Sequence, residues 1–177
     1  LVFSSSATIY SNSENSFFSE NSKIAPSSPY GHTKYIIEEI LNKIFKSNYK
    51  KWRIINLRYF NPIGAHPSGD IGENPLQKPT NLFPLINQVA IGRLKKLNIY
   101  GTNWPTKDGT AIRDYIHVMD IAEGHLEAVK NLFNNQSQIL SLNLGRGIGT
   151  SVFELLEIFQ DVNKCLIPYE IKQKRIG

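Results

Sequence analysis

Tyr30-Gly31-His32-Thr33-Lys34-Tyr35-Ile36-Ile37-Glu38-Glu39-Ile40-Leu41-Asn42-Lys43-Ile44-Phe45-Lys46 places apolar side chains every three or four positions, which predicts a helix over about 30–47. Upstream, Leu1-Val2-Phe3 is continuously apolar and runs into Ser4-Ser5-Ser6, the pattern of a buried parallel strand opening into a loop. Downstream, Trp52 to Arg58 is apolar and β-branched enough for a second buried strand. Strand, helix and strand in that order is the unit of a parallel sheet.

The alternation continues along the chain. Leu82–Gly92 and Val118–Phe133 have helical spacing, the latter with a stripe at Ile121, Ala122, Leu126, Val129 and Phe133. Leu97–Tyr100, Ile139–Leu144 and Ile167–Ile171 read as strands, and Ser151 with Glu154 predicts a capping box opening a helix to about Val162. Residues 11–29 and the Gly- and Pro-rich stretch after Pro62 read as loops, the second too long for a plain connector. The expected class is α/β, a Rossmann-like doubly wound sheet with a smaller C-terminal part. No Gly-x-Gly-x-x-Gly turn follows a strand; Gly145-Arg146-Gly147-Ile148-Gly149 is nearest and reads as a loop.

Composition narrows the function. With 41% hydrophobic and 20% charged residues in 177, a sizeable core is expected. No run approaches the ~20 apolar residues of a membrane span and the start lacks signal-peptide character, so a cytoplasmic setting without membrane partners is expected. Cys165 is the lone cysteine, and His32, His66, His117 and His125 form no metal-ligand spacing, so no metal is expected. The net charge of +5 is scattered and not interleaved with stacking aromatics, which argues against a nucleic-acid partner. Asn135-Gln136-Ser137 matches a glycosylation triplet by chance.

Lys34 follows Tyr30 at the spacing that puts both on one helical face, and Ser6 ends the first strand. A phenol with an ordinary pKa near 10 is a poor base at neutral pH, and a neighbouring ammonium stabilises its ionised form. A serine hydroxyl from a strand end adds a hydrogen bond to phenolate and substrate alike, a set suited to alcohol oxidation. By itself, a Tyr-x-x-x-Lys pair is a weak signal, and a serine run after an apolar triplet is also an ordinary turn.

Ser4-Ser5-Ser6-Ala7-Thr8-Ile9-Tyr10, Ser28-Pro29-Tyr30-Gly31-His32-Thr33-Lys34, Arg58-Tyr59-Phe60-Asn61-Pro62-Ile63-Gly64-Ala65-His66-Pro67-Ser68-Gly69, Thr110-Ala111-Ile112-Arg113-Asp114-Tyr115-Ile116-His117-Val118-Met119-Asp120 and Asn143-Leu144-Gly145 together resemble the UDP-glucose 4-epimerases, extended short-chain dehydrogenases/reductases. The resemblance implies NAD as cofactor and a UDP-sugar as substrate. It implies that residues 1–60 are the later part of an NAD-binding Rossmann domain and 61–177 mainly the UDP-sugar-binding part. The helix at about 118–133 and the strand at about 139–144 would return to the Rossmann domain. The half that cradles the NAD phosphates would precede this chain.

Carried over by position, Tyr30 is the catalytic base, Lys34 lowers its pKa and holds the nicotinamide ribose, and Ser6 bonds the sugar 4-hydroxyl. Tyr59 and Phe60 would border the nicotinamide. Asn61, Asn81, Leu82, Asn98, Ile99, Tyr100, Arg113 and Arg175 fall where the family contacts the UDP moiety, and for Arg113 a core ion pair with Asp114 or Asp120 is the alternative. The implied reaction is oxidation at C4, rotation of the 4-keto sugar and re-reduction on its other face. A homodimer paired through the Tyr30 helix is implied for the complete protein. Ser11 and Ile176 depart from the family pattern, which has Gly and an acidic residue there.

Rival readings remain. One is an epimerase for UDP-glucuronate or UDP-N-acetylglucosamine. A nucleotide-sugar 4,6-dehydratase is disfavoured because Thr8-Ile9-Tyr10 stands where those enzymes resemble Thr-Asp-Glu. A non-catalytic binding protein of the same fold is the third.

Overall fold

A computed structural model describes residues 1–11, 17–73, 75–77 and 79–174, and the chain divides into two compact units. The first takes in Leu1–Pro62 and Tyr115–Gly147; the second takes in Ile63–Asp114 and the described residues from Ile148 onward.

In the first unit, β1 (Val2–Ser6), β2 (Arg53–Tyr59) and β6 (Gln138–Leu144) form a parallel sheet in the order β1-β2-β6. Ser6 lies level with Tyr59, and Tyr59 with Leu144, so the three carboxyl ends finish in register. Helix α1 (Pro29–Ser47) starts as its sequence asks: the Ser28 side chain accepts from the Gly31 amide and Pro29 occupies the first turn. A Cβ on Gly31 would lie 2.6 Å from the Thr8 carbonyl oxygen, so only glycine lets this turn press against the segment after β1. Helix α3 (Val118–Asn134) covers Ile55 and Leu57 with Ala128 and Leu132.

Both helices form where periodicity predicts them, but their buried faces differ from the apolar stripes. In α1 the buried positions are Gly31, Glu38 and Leu41, while Ile36, Ile37 and Ile40 are exposed. In α3, Leu126, Val129 and Phe133 are exposed, and Val129 and Phe133 border a cavity of about 410 Å³ beside Leu1, Val2 and Trp52. Each helix carries more apolar surface than this sheet covers, so periodicity identifies the helix without choosing its inner face.

The α1 side of the sheet is held by polar groups. Arg58, on the central strand, clasps Glu38 with Nε to Oε1 at 3.0 Å and Nη2 to Oε2 at 2.7 Å, and both side chains are nearly inaccessible. Ser5 of β1 donates to Glu38 Oε1 at 2.5 Å. Arg58 Nη1 donates to the Tyr10 hydroxyl at 3.0 Å, and that hydroxyl donates to Asn143 Oδ1 of β6 at 2.6 Å. Burial works against the Arg58 charge, yet the bonds it donates to Glu38 and Tyr10 hold its pKa above the usual value.

In the second unit, β4 (Leu97–Tyr100) pairs in parallel with β8 (Tyr169–Lys172), and residues Ile112–Asp114 of β5 (Ile112–His117) pair antiparallel with β7 (Gly149–Ser151). Helices α2 (Leu82–Ala90) and α4 (Val152–Asn163) complete it, the latter opened by the expected capping box at Ser151 and Glu154. Gly149 begins a strand instead of ending the loop read from the sequence. β5, β7 and the short β3 (Asn61–Ile63) escape prediction because runs of three to six residues with interspersed charge and glycine carry too little alternation. Asp108 accepts from the Thr110 amide and hydroxyl, both at 2.8 Å, and from the Ser151 hydroxyl.

Removing one partner of the buried pair leaves the other charge stranded. Glu38→Ala is expected to cost about 3–5 kcal/mol in urea unfolding, with much of it restored on adding Arg58→Met; a cost below ~1 kcal/mol for the single change would show the pair solvated. Burial raises the Asp108 pKa, but the hydrogen bonds from Ser151 and Thr110 more than offset it and leave it below 3.8. A depressed carboxyl stabilises the fold above its unfolded pKa and loses that contribution as pH falls through the folded value. Asp108→Asn should therefore flatten the acid limb of stability against pH below about 4, as followed by thermal unfolding.

Candidate functional site

The candidate site lies where β1, β2 and β6 end together, the place at which open parallel sheets bind ligands. Tyr30 and Lys34 stand on the first two turns of α1, one turn apart on the same face. Tyr30 is 55% exposed, so its hydroxyl is open to a ligand. Lys34 Nζ donates to the Ser4 carbonyl at 2.8 Å and lies 5.5 Å from the centre of the Tyr30 ring and 5.3 Å from that of Phe3. The β1 backbone thus anchors the ammonium beside the phenol. An ammonium has three donors, so this bond leaves two for a ligand.

Ser6, the last residue of β1, is buried and caps the 3-10 turn Ala7–Ile9. Its oxygen accepts from the Thr8 amide at 3.2 Å and the Thr8 hydroxyl at 3.0 Å. Both bonds use Ser6 Oγ as acceptor and neither commits its proton.

Tyr59 ends β2, and Phe60 follows half-buried, its amide bonded to the Leu144 carbonyl at 3.0 Å. Burial pushes the Tyr59 phenol up; a hydrogen bond from Ser4 opposes this and nearby Tyr30 adds to it. The Tyr59 hydroxyl lies 2.8 Å from Nε2 of His125 on α3, and Ser4 Oγ is 3.4 Å from the same nitrogen.

The remaining sequence candidates fall elsewhere. Asn61 opens β3; Asn81 caps α2 without a side-chain cap bond, and Leu82 begins that helix. On β4, Asn98 is exposed and Tyr100 half-buried, whereas the Ile99 side chain is 2% exposed and committed to the core. Arg113 is exposed, with Nη1 donating to the Ile112 carbonyl at 2.8 Å, so its side chain does not lie in the core. Arg175 lies outside the described residues.

The first-unit site thus brings together Ser6, Tyr30, Lys34, Tyr59 and Phe60, with Ser4 and His125 as additions. His125 was weighed in the sequence only as a metal ligand; its signal is a polar residue inside the stripe running from Ile121 to Val129. Glu38 lies one further turn along the face of Tyr30 and Lys34 and is not singled out by the sequence. Among the described residues no group of three or more His, Cys, Asp or Glu is placed to hold a metal, and no helix is long and apolar enough to cross a membrane.

Comparison with known proteins places these features in context. Residues 1–145 match the model of the NAD dependent epimerase/dehydratase family. The chain is 50% identical over 177 residues to UDP-glucose 4-epimerase 4 of Oryza sativa subsp. japonica, covering 100% of itself and 48% of that protein. It is 45% identical to the UDP-glucose 4-epimerase of Bacillus subtilis, covering 52% of it, so the chain spans about half the length of the curated relatives it matches. Among solved structures it resembles the UDP-glucose-4-epimerase of Stenotrophomonas maltophila with bound NAD and formylated UDP-arabinopyranose, with a TM-score of 0.94, 43% identity, and coverage of 99% of this chain and 52% of that one. The Bifidobacterium longum enzyme in complex with NAD+ and UDP gives a TM-score of 0.92 at 40% identity, with 99% and 52% covered. Matching sequence blocks in order, a parallel sheet and the same fold over nearly the whole chain lead to one conclusion: the chain belongs to the NAD dependent epimerase/dehydratase family.

Proposed function

We propose that this chain is the later part of an NAD-dependent UDP-glucose 4-epimerase, interconverting UDP-glucose and UDP-galactose as the complete protein. The observation that carries the reading is Lys34, fixed to the β1 backbone at 2.8 Å and set against the exposed Tyr30 ring at the carboxyl end of a parallel sheet. In this reading the first unit carries the chemistry, with Tyr30, Lys34 and Ser6 as its catalytic set. The second unit supplies UDP contacts from Asn81, Leu82, Asn98, Tyr100 and Arg113 and from the backbone of Ile99, joined by Asn61 and by Arg175.

The residues present fit the nicotinamide-ribose end of NAD. Lys34 has two donors beyond its bond to Ser4, which suits a vicinal diol, and Tyr59 and Phe60 offer aromatic surface beside it. NAD, when bound, supplies the oxidising and then the reducing equivalent at sugar C4. Tyr30 takes the proton of the 4-hydroxyl, and the Lys34 ammonium stabilises the charge that the phenol oxygen carries before that transfer. Ser6 keeps its proton and donates it as a hydrogen bond to the sugar oxygen or the phenolate, so the proton taken by Tyr30 moves along a defined path. Returning that proton from Tyr30 to the re-reduced oxygen restores the site. Fork-shaped guanidinium donors on Arg113 and Arg175 suit the UDP diphosphate, which would anchor the nucleotide while the hexose turns.

A dehydratase reading is poorly supported, because Ile9 and Tyr10 are both buried and Tyr10 is bound into the Arg58 network. Homodimerisation belongs to the same reading: Ile36, Ile37 and Ile40 leave an apolar strip exposed along α1, at 51%, 37% and 49%.

In the gene's complete translation product, Tyr30→Phe is expected to lower kcat for UDP-galactose epimerisation by about 10²–10⁴-fold with little change in KM. A coupled assay of UDP-glucose formation reads this directly. Near-normal turnover in the variant would remove Tyr30 as base, and faster turnover of UDP-glucuronate or UDP-N-acetylglucosamine than of UDP-galactose would move the protein to a sister activity.

A further inference from the structure

His125 sits on α3, with Nδ1 2.9 Å from the carbonyl oxygen of Ile121 one turn earlier. A carbonyl oxygen only accepts, so Nδ1 must carry the ring proton; the other tautomer would set two acceptors against each other. In the neutral imidazole Nε2 is then an acceptor, and the group at bonding distance is the Tyr59 hydroxyl at 2.8 Å. Ser4 Oγ, at 3.4 Å, is a weaker second neighbour. The Tyr59 proton is therefore directed toward α3.

Two side chains meet around that hydroxyl, Ser4 from β1 and His125 from α3. Ser4 belongs to both layers of the site, its carbonyl anchoring Lys34 and its hydroxyl beside His125. His125 thus connects through Tyr59 and Ser4 to the residues that hold the base.

Resting on the epimerase reading above, we propose that His125 is a positioning residue for that reaction: its Nε2 accepts the Tyr59 proton and fixes a neutral phenol, of defined direction, beside the Tyr30–Lys34 pair. A bond of this kind holds the Tyr59 hydroxyl in one orientation. With His125 gone, the Tyr59 hydroxyl is free to redirect its proton toward the space where the base works. A hydrogen bond donated to a phenolate favours the ionised form and weakens it as a base. The effect falls on turnover, since none of these residues is among those assigned to UDP.

Two measurements on the gene's complete product test this. The first is the ¹⁵N spectrum of its histidine rings, with the His125 signal assigned by its loss in His125→Gln. In the neutral ring the proton is expected on Nδ1, whereas a neutral ring protonated on Nε2 overturns the proposal. The second is a double-mutant cycle. His125→Phe should lower kcat about tenfold with KM for UDP-galactose within about twofold, the size of one well-made hydrogen bond. In a Tyr59→Phe background the same change should cost less than about twofold, and His125→Gln, whose amide oxygen accepts, should recover most of the loss. Additive losses, or a change confined to KM, overturn it. Should the unmodified protein epimerise no UDP-sugar, the epimerase reading falls, and the ring tautomer alone decides the role of His125.

Discussion

The register of α1 on the sheet of the first unit depends on the bidentate contact between Arg58 and Glu38. Two charges removed from water cost several kcal/mol each, and the cost is recovered only when every donor and lone pair is engaged. Here the engagement reaches β1 through Ser5, the segment after β1 through Tyr10, β6 through Asn143, and the loop ahead of α1 through the Glu20 carbonyl, 3.3 Å from Arg58 Nη1. Apolar packing tolerates a helix sliding by part of a turn, since many side-chain arrangements bury similar area. A forked pair with distances of 2.7 and 3.0 Å does not. Because Glu38 sits two turns after Tyr30 on the same helical face, the pair fixes where Tyr30 and Lys34 stand relative to the strand ends.

The two faces of this sheet divide the work. Toward α3 the inward residues of β2 are Ile55 and Leu57, packed on Ala128 and Leu132, and that apolar contact ends at Tyr59 and His125 where the strands finish. Toward α1 the inward residues include Asn56 and Arg58, and the contacts are polar and directional. Bulk stabilisation falls to the first face and register to the second. Where both faces meet the carboxyl ends, Lys34 is held by the Ser4 carbonyl and lies over the Phe3 ring, and Tyr59 is held by His125 and the apolar cluster.

The sequence carried the strand–helix–strand order of β1, α1 and β2 plainly, because buried parallel strands and a long periodic helix leave signals that need no partner to interpret. The spacing of Tyr30 and Lys34 on a helix and the place of Ser6 at a strand end are local facts, weak by themselves; the ordered blocks around them, resembling the UDP-glucose 4-epimerases, singled the three out as a set. What stayed hidden depended on partners distant in sequence. Glu38 looks like any charged helix residue until Arg58, twenty positions away, is set against it, and His125 has no meaning without Tyr59, sixty-six positions away. The buried faces of α1 and α3 were equally hidden, since Ile36, Ile40, Val129 and Phe133 are as apolar as the residues that are covered.

The same network bears on which chemistry the site has room for. A dehydratase needs an acid near the sugar, and the two positions at which one would be introduced are Ile9, with no exposure, and Tyr10, at 3%. Tyr10 stacks on Phe18 with ring centres 5.3 Å apart, accepts from Arg58 and donates to Asn143, so its oxygen and its ring are both occupied in holding the loop ahead of α1. Replacing it by an acid would trade those contacts for a carboxylate beside Arg58 and would loosen the loop that leads into Tyr30. At Ile9 a carboxylate would be buried without a partner and would be driven to its neutral form. In this chain the positions that separate the two activities belong to the scaffold, so the distinction is built into the packing beneath the site as well as into the groups that line it.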